Sequence, residues 1–129
     1  MTTIEPKYVS FETAKLLQEK GFELNSSKCY NENGESKTVA LTARKLLHKE
    51  KVFYPRPELW VVQEWILYKH NLWIAISNCN STEKGFGWCY DIHRMPCGIL
   101  KLWKQGDEIF DSPSFALEQG IVYCLNHLL

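Results

Sequence analysis

Leu72-Trp73-Ile74-Ala75-Ile76-Ser77, followed by Phe86-Gly87-Trp88-Cys89-Tyr90-Asp91-Ile92-His93, is the pair of stretches on which the fold turns. In the first, Leu72, Ile74 and Ile76 alternate with Trp73, Ala75 and Ser77. In the second, Phe86, Trp88, Tyr90 and Ile92 alternate with small or polar residues. A period of two over six to eight residues is the mark of a strand with unlike faces. Residues 78–85 between them are polar and read as a loop. Met95-Pro96-Cys97-Gly98 suits a type I turn, and Ile99 to Trp103 then reads as a third strand.

Helical signals flank this block. Tyr54-Pro55-Arg56-Pro57 is a rigid boundary, and Pro57 suits a first helical position. Beyond it, Leu59, Val62 and Ile66 form one stripe, and Val61, Trp65 and Tyr68 a neighbouring one. Lys69 and His70 sit where the helix dipole favours cations, and Asn71 can cap the end in the left-handed region. At the C-terminus, Ser112 can cap a helix opening on Pro113. Leu117, Ile121, Cys124 and Leu128 make its stripe, and Ala116 and Gly120 give a strip without bulk that can lie close to a sheet. The order from Pro57 onward is therefore α-β-β-β-α. The expected class is α+β, a three-stranded or slightly larger antiparallel sheet with helices packed on one face.

Upstream, Ser10 caps a helix over 11–20 with Phe11, Ala14 and Leu17 at helical spacing. Gly21 and Phe22 follow as a Schellman turn onto Leu17. Asn33-Gly34 is a hairpin signal with polar flanks. Thr38 to Lys51 carries apolar residues that could line a partial helix.

The chain has 129 residues, the size of one domain, and 15 cations balance 15 carboxylates. Neutrality excludes a global attraction to nucleic acid or to an anionic membrane. No basic-then-apolar leader opens the chain and no window is long enough to span a bilayer, so the expected location is cytoplasmic. Cys29, Cys79, Cys89, Cys97 and Cys124 then read as reduced thiols.

Three stretches carry a resemblance: residues 10–22 (Ser10 through Lys20-Gly21-Phe22), Tyr54 to Asn71 with its Gln63-Glu64-Trp65 core, and Asp111 to Gly120 with Ala116-Leu117-Glu118-Gln119-Gly120. Together they resemble a group of small, uncharacterised proteins of phages and prophages of Bacteroides-type gut bacteria. Residues 31–53 fall outside the likeness, as an insertion or variable loop region within a single domain. The resemblance implies a mobile-element origin and no activity. Trp65-Ile66-Leu67-Tyr68 is more apolar than the group's pattern, which leaves room for a partner surface around Tyr68.

Catalytic and metal chemistry find little footing. Cys89 and His93 on one strand would lie about 13 Å apart, too far to share a zinc ion. Only His93 and Cys97 have a short ligand spacing. No nucleophile elbow, zincin helix or phosphate loop is present, so neither an enzyme nor a cofactor is expected. The α-β-β-β-α order superficially matches a double-stranded RNA-binding domain, but Asp107, Glu108 and Asp111 stand where such a module needs cations.

Two binding surfaces remain. Trp60, Trp73, Trp88 and Trp103 are many for one small core. Trp60, Tyr68, Trp73 and Trp103 are the candidate contacts for a protein partner of host or phage, or for self-association. The alternative is nucleic acid. Residues 37–56 set Lys37, Arg44, Lys45, Lys49, Lys51 and Arg56 against Glu50 alone, beside Phe53 and Tyr54. Arg44, Lys45, Lys49, Lys51 and Arg56 are the candidates for that surface.

Overall fold

The computed structural model describes residues 6–23, 27–39, 53–81, 85–94, 101–105 and 108–129. They fall into two units, Met1–Glu58 and Leu59–Leu129. Among them the protein is α+β, with three helices, a three-stranded antiparallel sheet and a two-stranded hairpin.

In the first unit, helix α1 (Phe11–Glu19) starts because the Ser10 hydroxyl accepts the Thr13 N–H at 3.3 Å. It stops as expected. Gly21 takes φ +84°, the Phe22 N–H donates to the Leu17 carbonyl at 2.9 Å, and the Gly21 N–H donates to the Gln18 carbonyl at 3.2 Å. Those two bonds are the Schellman pattern, and they bring Phe22 down onto buried Leu17. Burial of a leucine side chain contributes about 1.5–3 kcal/mol, which matters in a helix of nine residues.

Strands β1 (Lys28–Tyr30), β2 (Ser36–Thr38) and β3 (Tyr54–Pro55) make the three-stranded sheet, in the order β2-β1-β3. The Asn33-Gly34 hairpin is present. The Asn31 carboxamide oxygen accepts from the N–H groups of Asn33 at 3.0 Å and Glu35 at 2.9 Å, and Gly34 takes φ +83°. Thr38 pairs with Lys28 in β2, so no helix begins there; the rest of that expected helix, residues 40–51, lies outside the described residues. α1 lies against β3, and the Phe11 ring meets Tyr30 and Tyr54 edge-on at 5.7 and 5.5 Å. Val9, Thr13, Ala14, Leu17, Cys29 and Pro57 form the core. Pro57 does not open the next helix. Its carbonyl accepts the Val9 N–H at 3.0 Å, and Glu58 bridges to Tyr8, so that helix starts two residues later than expected.

In the second unit, helix α2 (Leu59–His70) buries Leu59, Val62 and Ile66, the expected stripe. Asn71 ends it at φ 59°, its N–H bonded to the Leu67 carbonyl at 3.0 Å. Strands β4 (Leu72–Ser81) and β5 (Gly85–Arg94) then pair over ten residues each. The polar run Asn78-Cys79-Asn80, expected as loop, is strand. It faces Trp88, Gly87 and Phe86 of β5, and that pairing overrides the poor strand propensity of asparagine.

The expected C-terminal order α-β-β-β-α is corrected to α-β-β-α. The outer side of β5 carries no strand of equal rank. Lys101–Gln105 runs antiparallel beside Asp91 to Arg94 with a register shift between Ile92 and His93. Further along, the same edge is taken by Phe110, which exchanges two backbone hydrogen bonds with Trp88 at 2.9 and 2.7 Å. That crossing is close: a Cβ on Gly87 would fall 2.1 Å from Ile109 Cγ2. Two short pieces thus share the edge that one strand was expected to fill. The expected turn at 95–98 lies outside the described residues.

Helix α3 (Pro113–His127) begins where the Ser112 hydroxyl accepts the Phe115 N–H at 3.1 Å. It buries Ala116, Gly120, Ile121, Cys124 and Leu125, while Leu117 and Leu128 are only half-buried. The buried face is therefore rotated toward the small-residue strip. A Cβ on Gly120 would lie 2.7 Å from Ile74 Cγ2 and 3.2 Å from Tyr90 Cγ, so the bare backbone rests on the hairpin.

Candidate functional site

Helical spacing places Trp60, Glu64 and Tyr68 at i, i+4 and i+8 of α2, and all three are exposed. Trp60 is 54% and Tyr68 78% accessible, large values for aromatic rings. At 1.5 Å per residue the two rings start about 12 Å apart along one helix face. Trp73 sits elsewhere: half-buried on β4, opposite His93. Trp103 belongs to Lys101–Gln105, and its side chain lies outside the description. Of the four expected contacts, the structure unites Trp60 and Tyr68. Sequence reading passed over two further exposed rings, Phe86 and Phe115. Phe115 meets Phe110 edge-on at 5.4 Å, and Phe110 in turn stacks on Tyr90 at 6.3 Å. The signal for Phe86 was its place on the aromatic face of β5.

Of the expected nucleic-acid contacts, Arg44, Lys45, Lys49 and Lys51 lie outside the described residues. Arg56 is described, in a cluster of the first unit that spacing did not show. The pairing Cys29↔Pro55 sets Lys28 beside Arg56, and the Arg56 N–H donates to the Lys28 carbonyl at 3.4 Å. The Arg56 guanidinium lies 4.2 Å from the Tyr8 ring centroid and 5.7 Å from that of Tyr30. Lys28 donates from Nζ to the Tyr8 hydroxyl and approaches the same ring to 4.6 Å. Tyr30 in turn donates its hydroxyl to the Val9 carbonyl. Two cations thus share one tyrosine, an arrangement whose attraction comes from the ring quadrupole. Arg56 Nε is buried and, among the described residues, without a hydrogen-bond partner.

The thiols depart from expectation at one pair. Cys79 and Cys89 are joined by a disulfide, with Cα atoms 6.3 Å apart. The register explains it: Ser77 faces Cys89 and Cys79 faces Gly87, so the cysteines are diagonal neighbours across the hairpin. Distances taken along one strand could not show this. Cys29 and Cys124 are buried thiols, the Cys29 thiol donating to the Lys37 carbonyl at 3.7 Å, and Cys97 lies outside the described residues. Burial pushes the Cys124 thiol up to about 12, which keeps it protonated and unreactive at neutral pH.

His70 is held below its ordinary value, first by burial and then by the neighbouring Lys69 charge. Its ring lies 5.0 Å from Trp65, edge to face. Among the described residues no group of three His, Cys, Asp or Glu side chains could hold a metal ion. Nor is any helix there long and apolar enough to cross a membrane. No protein-family model, curated protein or solved structure matches the chain. What the described arrangement offers is contact chemistry: aromatic rings on a rigid helix, and stacked cations on a small sheet.

Proposed function

We propose that the protein acts by binding another protein through the exposed face of α2, with Trp60 and Tyr68 as its anchors. The observation that carries this reading is their accessibility of 54% and 78% at positions i and i+8 of one helix. Aromatic side chains on a rigid element bring large contact area at little conformational cost, which is why they dominate interface energetics. Glu64 between them adds a charge that helps to orient the partner. The resemblance to small phage and prophage proteins implies a mobile-element origin, which fits an accessory role of this kind.

A photo-crosslinking amino acid at Tyr68, in cells that produce the protein, tests the reading. The expected result is a covalent adduct with one protein species. That adduct should be lost on Trp60→Ala and absent when the crosslinker replaces exposed Asn126. No adduct, or equal adducts from both sites, would remove the α2 face from consideration.

A second reading has its own support in the cation–tyrosine cluster. Arg56, Lys28, Tyr8 and Tyr30 combine charge with ring faces, the two components of single-stranded nucleic-acid binding. Here fluorescence anisotropy of a labelled single-stranded oligonucleotide is the test. Binding that weakens with salt, and weakens further in Arg56→Ala and Lys28→Ala, supports it. A flat anisotropy at low salt rejects it.

A further inference from the structure

The protein treats its strand edges unequally. In the first unit, edge strand β2 is three residues long, wholly exposed, and carries Lys37 at its centre. The opposite edge, β3, is two residues long and ends in Pro55. In the second unit, the outer side of β5 is covered by Lys101–Gln105 and by Phe110. Short length, lysine, proline and covering segments are the usual devices against edge-to-edge pairing. Among the described residues, β4 beyond Ile74 has none of them. It runs ten residues, Leu72-Trp73-Ile74-Ala75-Ile76-Ser77-Asn78-Cys79-Asn80-Ser81, without a charge, a proline or a glycine. Among the described residues its only strand partner is β5. At its near end the Ile74 carbonyl already accepts the Gln63 carboxamide at 2.7 Å, which leaves the stretch from Ile76 onward.

We propose that this outer edge of β4 pairs antiparallel with the same edge of a second copy of the chain, about a two-fold axis at Cys79. The sequence selects that occupant. Ser77-Asn78-Cys79-Asn80-Ser81 reads the same in both directions. A two-fold axis at Cys79 therefore sets Asn78 opposite Asn80 of the other copy, and Ser77 opposite its Ser81. No charge on either strand opposes the approach, and asparagine pairs across strands can exchange carboxamide hydrogen bonds. The contact is self-complementary, as a two-fold dimer requires, and it closes on itself rather than growing into a fibre. Asn78 and Asn80 are both exposed in the single chain. This surface is distinct from the α2 face and does not depend on it.

Sedimentation velocity across a concentration series into the high-micromolar range tests the proposal on the intact chain. The weight-average mass should rise from 15.1 kDa toward twice that value. Asn78→Lys with Asn80→Lys sets lysine against lysine across the axis and should hold the mass at the monomer value. Asn78→Lys with Asn80→Glu sets lysine against glutamate and should restore the dimer. Amide exchange gives a second readout that needs no variant: exchange over residues 76–81 should slow as wild-type concentration rises. A wild type monomeric throughout, with exchange independent of concentration, overturns the proposal. So does a dimer indifferent to the double-lysine change, or one abolished by Tyr68→Ala, which would place the contact on α2.

Discussion

The two sheets of this protein solve the same problem with opposite means. The β2-β1-β3 sheet has strands of three, three and two residues, too short to hold themselves. It is fixed from outside by a capped helix, by Phe11 between two tyrosines, and by Val9 bonded to Pro57. The β4–β5 hairpin is ten residues long on each side and carries its own ladder. Its problem is closure, which it meets by bringing the bare Gly120 backbone of α3 onto Ile74 and Tyr90. Local chemistry therefore dominates the first unit, and long-range packing the second. Perturbations should sort along that line.

The largest effects should come from the two cores. Leu17→Ala and Ile121→Ala each remove a fully buried side chain and should each cost about 2–5 kcal/mol in chemical denaturation. Amide exchange assigns each loss: Leu17→Ala should loosen 11–22, and Ile121→Ala should loosen 113–125. Loosening of the other set in either case would erase the distinction drawn above.

Alkaline pH should weaken the second unit through Cys124. Its folded-state value is about 12, against 9.0 for an unperturbed thiol. Between those values the unfolded chain releases the proton while the folded chain keeps it. The contribution is intact below pH 9 and is lost as pH rises through 12, on the order of 4 kcal/mol at its limit. The stability of wild type should therefore fall relative to that of Cys124→Ala as pH rises from 9 to 12. Parallel curves would show that the thiol is more solvated than its burial implies.

Gly87→Ala should cost about 1–3 kcal/mol, because the new methyl must displace Ile109 and meets the Phe110 carbonyl oxygen at 2.8 Å. Thermal melting reads the loss, and exchange at the Trp88 and Phe110 amides should rise with it. The smallest and most local effects belong to the caps. Ser10→Ala and Ser112→Ala should each cost about 1 kcal/mol, as each leaves one helix N–H without its acceptor. If local chemistry dominates the first unit, Ser10→Ala should remove the larger share of its helix signal, since α1 has nine residues and α3 has fifteen.

What could be read from the chain follows the same division. Ser10, Gly21, Asn33-Gly34, Asn71 and Ser112 were legible because caps and turns are decided within four or five residues. The number of tryptophans and the apolar run 65–68 point to Trp60 and Tyr68, but their place on one exposed helix face was not legible, since the stripes group Tyr68 with Val61 and Trp65. The cysteine pair was not, since only the register of β4 on β5 brings Cys79 to Cys89. The stacking of Arg56 on Tyr8 was hidden for the same reason: the two are 48 positions apart and meet through the Tyr8–Glu58 bridge beside the Val9–Pro57 hydrogen bond, which no spacing reveals. The broken edge of β5 escaped because Ile99 to Trp103 reads as a strand by itself, and only the crossing at Gly87 shows that Phe110 takes part of the same edge.

Asn71 has one more consequence. It is the sole residue between α2 and β4, so helix and strand share a joint with no slack. Such a joint acts as an indexing pin. One residue added there would advance β4 by half its period, carrying Ile74 and Ile76 to the side now held by Trp73 and Ala75. The junction can therefore be lengthened without turning that face over only in steps of two.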